Sequence, residues 1–154
     1  MVRLDRISKG ERKLYDELPC PELDTQPWVE GPPLNKRRVA IISTAGLHKR
    51  DDRPFTLDSG DYYRIIPSDI QANDLIMSHV SPNFDRVGFQ QDWNVVFPLD
   101  RLWELARARV IGSVADFHYS FMGGHDPISM EAEARVIAGL LKKDRVDAVV
   151  FLPV

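Results

Sequence analysis

The stretch RVAIIST, residues 38–44, decides the fold class of this chain. Its apolar residues run consecutively, several are β-branched, and they do not alternate with polar side chains. Such a run is typical of a strand that is buried on both faces of a parallel sheet. Gly46 breaks the pattern shortly afterwards. A parallel sheet needs helices on its faces, so the stretch predicts an α/β domain.

Two amphipathic helix patterns follow farther along the chain. Apolar residues recur at helical spacing in residues 99–110, after Pro98, and again in residues 128–141, after Pro127. The stretch AVVFLPV, residues 148–154, has the composition of another buried strand. Together these patterns predict a doubly wound, mostly parallel sheet with flanking helices and a right-handed crossover before the last strand.

The segments between these elements are predicted to be short strands and loops. Residues 62–66 and 75–79 are strand candidates. Residues 47–61, 80–92 and 116–126 are rich in polar residues, glycine or histidine, and each segment is predicted to be a loop. Binding and catalytic residues are concentrated on long loops of this kind.

Residues 1–37 are predicted to form a helix and a proline-rich extended arm ahead of the α/β domain, which takes up residues 38–154. Ser8 and Glu11 make a capping box at the start of the helix. The prolines that follow exclude the arm from the interior of a sheet. Trp28, in the middle of the arm, is expected to pin it to the domain.

The composition bounds the class of protein. A chain of 154 residues with 44% hydrophobic and 28% charged residues fits one globular domain. Its formal net charge of −3 argues against the basic surface that nucleic-acid binding needs. No apolar run is long enough to span a membrane, and the first residues are too charged for a secretory signal, so a cytoplasmic protein is expected. Cys20 is the one cysteine, which excludes an internal disulfide and a cysteine-based metal cluster.

Four histidines follow predicted strands. His48 comes after the first strand, His79 ends a later one, and His118 and His125 lie in the segment before the last helix. Ligands of α/β sheets bind at the carboxyl ends of the strands, so these histidines are candidate functional residues. Local packing of each imidazole is the alternative. Their spacing, even with Asp85 added, fits no compact metal motif, and no metal site is predicted.

Six separated motifs, in order, carry a family resemblance. They are STAGLH at 43–48, RPF at 53–55, DYYRIIP at 61–67, SHVSPNFD at 78–85, NVVFPLDRL at 94–102 and HYSFMG at 118–123. Together they resemble the selenoprotein B family of glycine, sarcosine, betaine and D-proline reductases. The resemblance covers nearly the whole chain from about residue 38 onward.

The resemblance implies a reductase component that cleaves a C–N bond of an amino acid or related amine. A selenocysteine or cysteine attacks the carbon that bears the amine, and thiols complete the reduction. His48, His79 and His118 are the implied catalytic residues, serving the leaving amine or the substrate carboxylate. The expected substrate-binding residues are Ser78, Asp85, Ser120, Gly123 and Gly124. The two glycines precede a predicted helix, where their amides suit a carboxylate or phosphate; a flexible turn is the alternative.

In similar sequences the last predicted strand leads into the selenocysteine or cysteine, which is therefore expected after Val154. No other cofactor is expected within this chain. The sequence stops at Pro153 and Val154, so the form shown is expected to be truncated and inactive. A UGA codon read as a stop is the favoured cause; a deliberately shortened chain and a natural end are the alternatives.

The family resemblance also implies partners. We expect a small amino-acid-like substrate, a partner protein that carries a pyruvoyl group, and a thiol or selenol acceptor protein. The apolar last strand favours pairing with another copy of the chain. A non-enzymatic module that binds a small ligand or a partner is the main alternative function, and a metal hydrolase is a third.

Overall fold

The predicted α/β class is confirmed. The structure, a computed structural model, describes residues 4–17, 22, 26–56, 62–79, 86–122 and 127–154. Over these residues the chain forms a five-stranded sheet, a two-stranded sheet and α-helices. The strands are β1 (Arg38–Ser43), β2 (Leu47–Lys49), β3 (Tyr63–Pro67), β4 (Leu75–Met77), β5 (Ser113–Val114), β6 (Phe117–Phe121) and β7 (Ala148–Leu152). The α-helices are α1 (Lys9–Asp16), α2 (Val87–Gln91), α3 (Leu99–Arg107) and α4 (Glu131–Lys143).

Strand β1 is the centre of the larger sheet because it has partners along both sides. Val39 pairs with both β5 and β7, and Ile42 pairs with both β6 and β7. Strand β7 therefore covers one side of β1, while β5 and β6 share the other side. All three run parallel to β1, whereas β3 pairs antiparallel with β6. The sheet is thus mixed, and the doubly wound arrangement remains a prediction.

The two faces of the sheet build two separate cores. One core contains Ile41 of β1 and Leu102 of α3. The other contains Ile42 of β1 and Ile137 of α4. Because successive side chains of a strand point to opposite faces, α3 and α4 lie on opposite faces of the sheet. Each fully buried aliphatic side chain of this kind stabilises the fold by about 1.5–3 kcal/mol.

A break between β5 and β6 is held by charged side chains at the amino end of the sheet. The Arg38 guanidinium donates to the carbonyls of Asp144 and Val114, at 2.8 Å each, and contacts the Asp116 carboxylate at 2.8 Å. The Asp144 carboxylate accepts the amides of Asp116 and Phe117 at 2.8 and 3.3 Å. Charge-assisted bonds of this kind are stronger than neutral ones, so they fix the shape of the break.

Helices α3 and α4 both end with an arginine in the left-handed backbone conformation. Arg109 has a φ of 58° and Arg145 a φ of 54°. The amide that follows each arginine returns to a carbonyl five residues earlier in the chain, at 2.9 Å in both helices. This geometry is a known way of ending a helix. Helix α3 therefore ends at Arg107, before the predicted limit at residue 110.

Three segments predicted to be loops contain regular structure, so those predictions are wrong in part. Residues 116–126 include β6, whose aromatic side chains alternate with His118 and Ser120 across the sheet. Residues 47–61 begin with β2, which pairs antiparallel with β4. Residues 80–92 contain the short helix α2.

Strand β7 is an exposed edge, which corrects the prediction of a buried strand. Phe151 is 72% exposed and Val150 is 37% exposed. The reason is that, among the strands the structure describes, β7 pairs with β1 alone. Such an apolar edge suits pairing with another strand, although the predicted pairing with a second copy remains a prediction.

The N-terminal segment is described in part. Helix α1 begins directly after Ser8, as the capping box predicted. Trp28 does not pin the arm, because 79% of its surface is exposed. The chain is held nearer to β1, where the Arg37 carbonyl accepts the Gly112 amide at 2.9 Å. The extended arm and the division after residue 37 remain predictions, and no helix of the described stretches has the length and apolar character to cross a membrane.

Candidate functional site

The turn after β1 joins the carboxyl ends of three parallel strands. The Thr44 amide donates to the Leu152 carbonyl of β7 at 3.1 Å, and the Gly46 amide donates to the Phe121 carbonyl of β6 at 2.7 Å. The Thr44 hydroxyl oxygen accepts the Val154 amide at 2.8 Å. The turn therefore holds residue 154 beside the carboxyl end of the central strand.

Gly46 brings the end of β4 against this turn. Its φ is +66°, and an added Cβ would lie 3.0 Å from the His79 amide nitrogen. Its carbonyl accepts the Ser78 amide at 2.9 Å. Glycine is favoured here for two reasons, the left-handed backbone and the close approach of another chain segment. Ser78 and His79, two of the predicted site residues, are thereby placed at the carboxyl edge of the larger sheet.

His48 and Ser78 form a partly buried hydrogen-bonded pair at this edge. His48 is 1% exposed. Its Nε2 atom lies 2.8 Å from Ser78 Oγ, and its Nδ1 atom lies 2.7 Å from the Lys49 carbonyl oxygen. The antiparallel pairing of β2 with β4 brings the two residues together, because His48 lies opposite Ile76.

A clamp around Arg64 packs against His48. The Phe55 ring lies edge-on to His48 with 6.4 Å between the ring centres, and the Arg64 guanidinium carbon lies 4.4 Å from the centre of the Phe55 ring. Arg64 also donates to the carbonyls of Arg53 and Pro54 at 3.0 and 3.2 Å. Cation–π stacking and these bonds fix the segment that follows β2, and with it the position of the His48 ring.

His79 lies at the same edge, and its pKa is lowered from the usual 6.5. Burial lowers the pKa most, the positive charge of Arg86 lowers it further, and a hydrogen bond with the Val154 backbone opposes both effects. The Arg86 guanidinium also donates to the His79 carbonyl. His79 is therefore neutral at pH 7 and lies next to residue 154 and a cation.

His118 is placed inside the sheet, away from solvent. It is 0% exposed, and its Nδ1 atom accepts the Ile41 amide at 2.9 Å. Its Nε2 atom is buried without a hydrogen-bond partner, and its ring lies edge-on to Phe97 with 5.7 Å between ring centres. Burial lowers the pKa of His118 to about 4. These facts favour a structural role, while a catalytic role for His118 stays a prediction.

Two buried serines also bind the backbone of the turn. Ser120 Oγ accepts the Leu47 amide at 2.8 Å. Ser43 Oγ donates to the Val96 carbonyl at 2.8 Å and accepts the Ala45 amide at 3.2 Å. Both serines are 0% exposed. Ser120 therefore stabilises the backbone at the start of β2, and its predicted contact with substrate stays a prediction.

Three predicted binding residues, Asp85, Gly123 and Gly124, lie outside the described residues, as does His125. In the parts of the chain that the structure describes, no group of three or more His, Cys, Asp or Glu side chains is placed to hold a metal ion.

Sequence reasoning missed Thr44, Arg64 and Arg86. Arg64 had a detectable signal, because it occupies an inward position of the alternating β3 pattern and is 8% exposed. A buried arginine needs several acceptors, which predicts a clamp. Thr44 and Arg86 act through contacts with Val154 and His79, and nothing local in the sequence marks them.

Comparison with known proteins gives one family match. The family model "Glycine/sarcosine/betaine reductase selenoprotein B" matches residues 4–153. No solved structure matches the chain.

Three curated relatives are similar to the chain. The D-proline reductase subunit gamma of Acetoanaerobium sticklandii is 35% identical over 121 residues, which cover 77% of this chain and 49% of the relative. The glycine reductase complex component B subunit gamma of Symbiobacterium thermophilum is 32% identical over 158 residues, which cover 96% of this chain and 35% of the relative. The sarcosine reductase complex component B subunit beta of Peptoclostridium acidaminophilum is 30% identical over 118 residues, which cover 72% of this chain and 26% of the relative. The matched regions thus span half or less of each relative.

Proposed function

Since the chain belongs to the glycine/sarcosine/betaine reductase selenoprotein B family, we propose that it forms the substrate-binding edge of a reductase-complex component that cleaves a C–N bond. The proposed substrate is a small amino acid or a related amine. The observation that carries the proposal is the convergence of Thr44, the His48–Ser78 pair and His79 at one edge of the sheet. Open α/β sheets bind ligands at this edge.

The proposed reaction is a reduction by thiols. We propose that the attacking selenol or thiol is supplied from outside these 154 residues, within which Cys20 is the one cysteine. In the net reaction a substrate ammonium and two thiols give the deaminated product, free ammonium and a disulfide. The thiols lose two electrons and two protons; one proton goes to the carbon and the other to the nitrogen.

The residues of this chain would bind and orient the substrate. Thr44 holds residue 154 against the site, and His79, whose pKa is lowered by burial and by Arg86, lies beside it as a hydrogen-bonding group. The His48–Ser78 pair supplies a hydroxyl of fixed position. Asp85, Gly123 and Gly124 remain proposed binding residues from the adjoining segments.

The proposal includes partner proteins. The relatives are named as subunits of D-proline, glycine and sarcosine reductases. We propose that this chain likewise works with other subunits, among them one with a pyruvoyl group and one that accepts the product on a thiol or selenol.

A non-enzymatic binding module is the second candidate function. One observation favours it: the groups that converge at this edge are hydrogen-bonding groups, which would hold a ligand whether or not a reaction follows. Such a module would bind the same ligands at the same edge. It would not release an amine in the presence of thiols.

Imidazole NMR tests the proposed site. During titration with glycine, sarcosine, betaine and D-proline, the ring signals of His48 and His79 should move saturably with at least one ligand. His118 should not move, because it is fully buried. If neither His48 nor His79 responds to any of the four, the proposal is wrong. Amine release by the assembled complex with a dithiol then separates the enzyme from the binding module.

A further inference from the structure

The hydrogen bonds of His48 fix which of its ring nitrogens carries the proton. A carbonyl oxygen accepts and never donates, so Nδ1, at 2.7 Å from the Lys49 oxygen, carries a hydrogen. A neutral imidazole has one N–H, which leaves Nε2 as an acceptor. Nε2 lies 2.8 Å from Ser78 Oγ. In the neutral ring the Ser78 hydroxyl therefore donates its proton to His48.

The direction of this hydrogen bond determines whether Ser78 acts as a donor or as an acceptor towards a ligand. Its single proton is used by His48, so the lone pairs of Oγ remain for other partners. His48 is buried behind it, whereas Ser78 is half-buried at the edge of the sheet. Towards a bound molecule Ser78 thus acts as a hydrogen-bond acceptor. The Ser78 amide donates to Gly46 at 2.9 Å, which fixes the position of the residue.

We propose that Ser78 Oγ accepts a hydrogen bond from the N–H of the substrate ammonium group, so that the site selects amines that carry at least one N–H. The inference rests on the proposed function and names the substrate group that the site recognises. An amine leaves most readily when it is protonated as the C–N bond breaks. An acceptor oxygen with no proton to give stabilises that ammonium form, and a charge-assisted bond of this kind is stronger than a neutral one.

Arg86 narrows the substrate class further. Its guanidinium donates to the His79 carbonyl, next to Ser78 in the chain. A lone cation at Ser78 would be repelled by this charge, but a ligand that also carries a carboxylate would not. Amino acids and N-methylated amino acids meet both requirements. Betaine carries the carboxylate and the positive nitrogen but has no N–H, which makes it a matched control ligand.

The alternative of Ser78 as an acyl-transfer nucleophile fits the surroundings less well. Such a nucleophile needs free backbone amides to stabilise an oxyanion. The amides of Thr44, Gly46 and Ser78 all donate to backbone carbonyls, at 3.1, 2.7 and 2.9 Å. The described part of the turn therefore supplies an acceptor and no oxyanion site from these three residues.

The test compares sarcosine and betaine as ligands of the 154-residue chain by calorimetric titration. Ser78→Ala should weaken sarcosine binding about tenfold, the equivalent of about 1.4 kcal/mol, and leave betaine binding unchanged. The far-ultraviolet circular dichroism spectrum shows whether the variant is folded, whatever its affinity for betaine. Ser113→Ala, at the opposite end of the sheet, is the matched control and should alter neither affinity.

Any other result of the titration would contradict either the acceptor role of Ser78 or the proposed function. If Ser78→Ala weakens both ligands equally or neither of them, the acceptor role is wrong while the proposed function stands. If the unchanged chain binds none of the family's substrates, the proposed function fails and this inference fails with it. Nitrogen-15 NMR gives an independent readout, since a His48 ring protonated on Nε2 in the neutral form would overturn the inference without any ligand.

Discussion

The Nδ1 atom of His118 accepts the backbone amide of Ile41 at 2.9 Å, deep inside the sheet. The bond lies where the pairing of β1 changes from β5 to β6. Between the Val39–Val114 and Ile42–Tyr119 pairs, the partner strand contains two extra residues. An imidazole thus takes the place of a backbone carbonyl in the ladder. This arrangement works with the neutral ring, because a proton on Nδ1 would meet the amide hydrogen.

We expect His118 to make folding stability depend on pH. The unfolded chain protonates this ring near pH 6.5, and the folded chain protonates it near pH 4. Its contribution is therefore complete above pH 6.5 and is lost as the pH falls towards 4, by about 3 kcal/mol in total. Urea unfolding at pH 7 and pH 4.5 measures the loss. His118→Gln should show a smaller loss over this range, and an equal loss in both proteins would contradict the assignment.

The charge of Arg86 should be visible in the titration of His79. Arg86→Gln removes a cation that lowers the His79 pKa, so the pKa should rise towards 6.5. Imidazole NMR as a function of pH measures this change. Arg101→Gln is a suitable control because Arg101 pairs with Glu104 on the surface of α3. A His79 pKa that is the same in both variants would show that the charge of Arg86 does not contribute to it.

Two glycine-to-alanine changes should have opposite effects on stability. A Cβ at Gly112 would lie 2.5 Å from the Lys36 carbonyl carbon, so Gly112→Ala should cost about 1–3 kcal/mol. A Cβ at Gly139 meets nothing within 4 Å, and Gly139→Ala in helix α4 should stabilise the fold by about 0.5–1 kcal/mol. Thermal unfolding of both variants checks the pair. A stabilised Gly112→Ala variant would show that the approach of residue 36 is not rigid.

Arg64→Lys should destabilise the clamp although it keeps the charge. A lysine cannot donate to the carbonyls of Arg53, Pro54 and Tyr63 together, so these acceptors lose partners. We expect a loss of about 2 kcal/mol in urea unfolding and a shift of the His48 ring signals. Arg107→Lys, on the exposed side of α3, should change neither quantity. If the Arg64→Lys variant is as stable as the unchanged protein, the clamp contributes little to the free energy of unfolding.

The elements with long, regular patterns could be predicted from the sequence. Strand β1 and helices α3 and α4 lie where apolar runs and helical spacing predicted them. Strand β6 was missed because His118 and Ser120 are polar, yet they face inward and are fully buried. Their partners are the amides of Ile41 and Leu47, which are more than 70 residues away in the chain. No local pattern reports such contacts.

The location of the site could be predicted from the sequence, but the contacts between its residues could not. The structure brings His48, Ser78 and His79 to the carboxyl edge of the sheet, where strand topology predicted ligand binding. The bond between His48 and Ser78 depends on the register of β2 against β4, a tertiary property. The roles of Arg64 and Arg86 likewise arise from contacts made after folding. The sequence therefore predicted candidate residues, and the structure showed which of them lie together.

Strand β1 has a consequence for how the protein is made. The strand is complete at Ser43, but its partner β7 ends at Leu152, more than a hundred residues later. A ribosome that adds about 5–20 residues per second needs roughly 5–20 s to cover this distance. During that interval β1 lacks the strand that pairs along one of its sides, and pairing across such a separation is slow in any case. Until β7 is complete, this open side of β1 can pair with strands of other chains, so aggregation of the growing chain is the expected hazard.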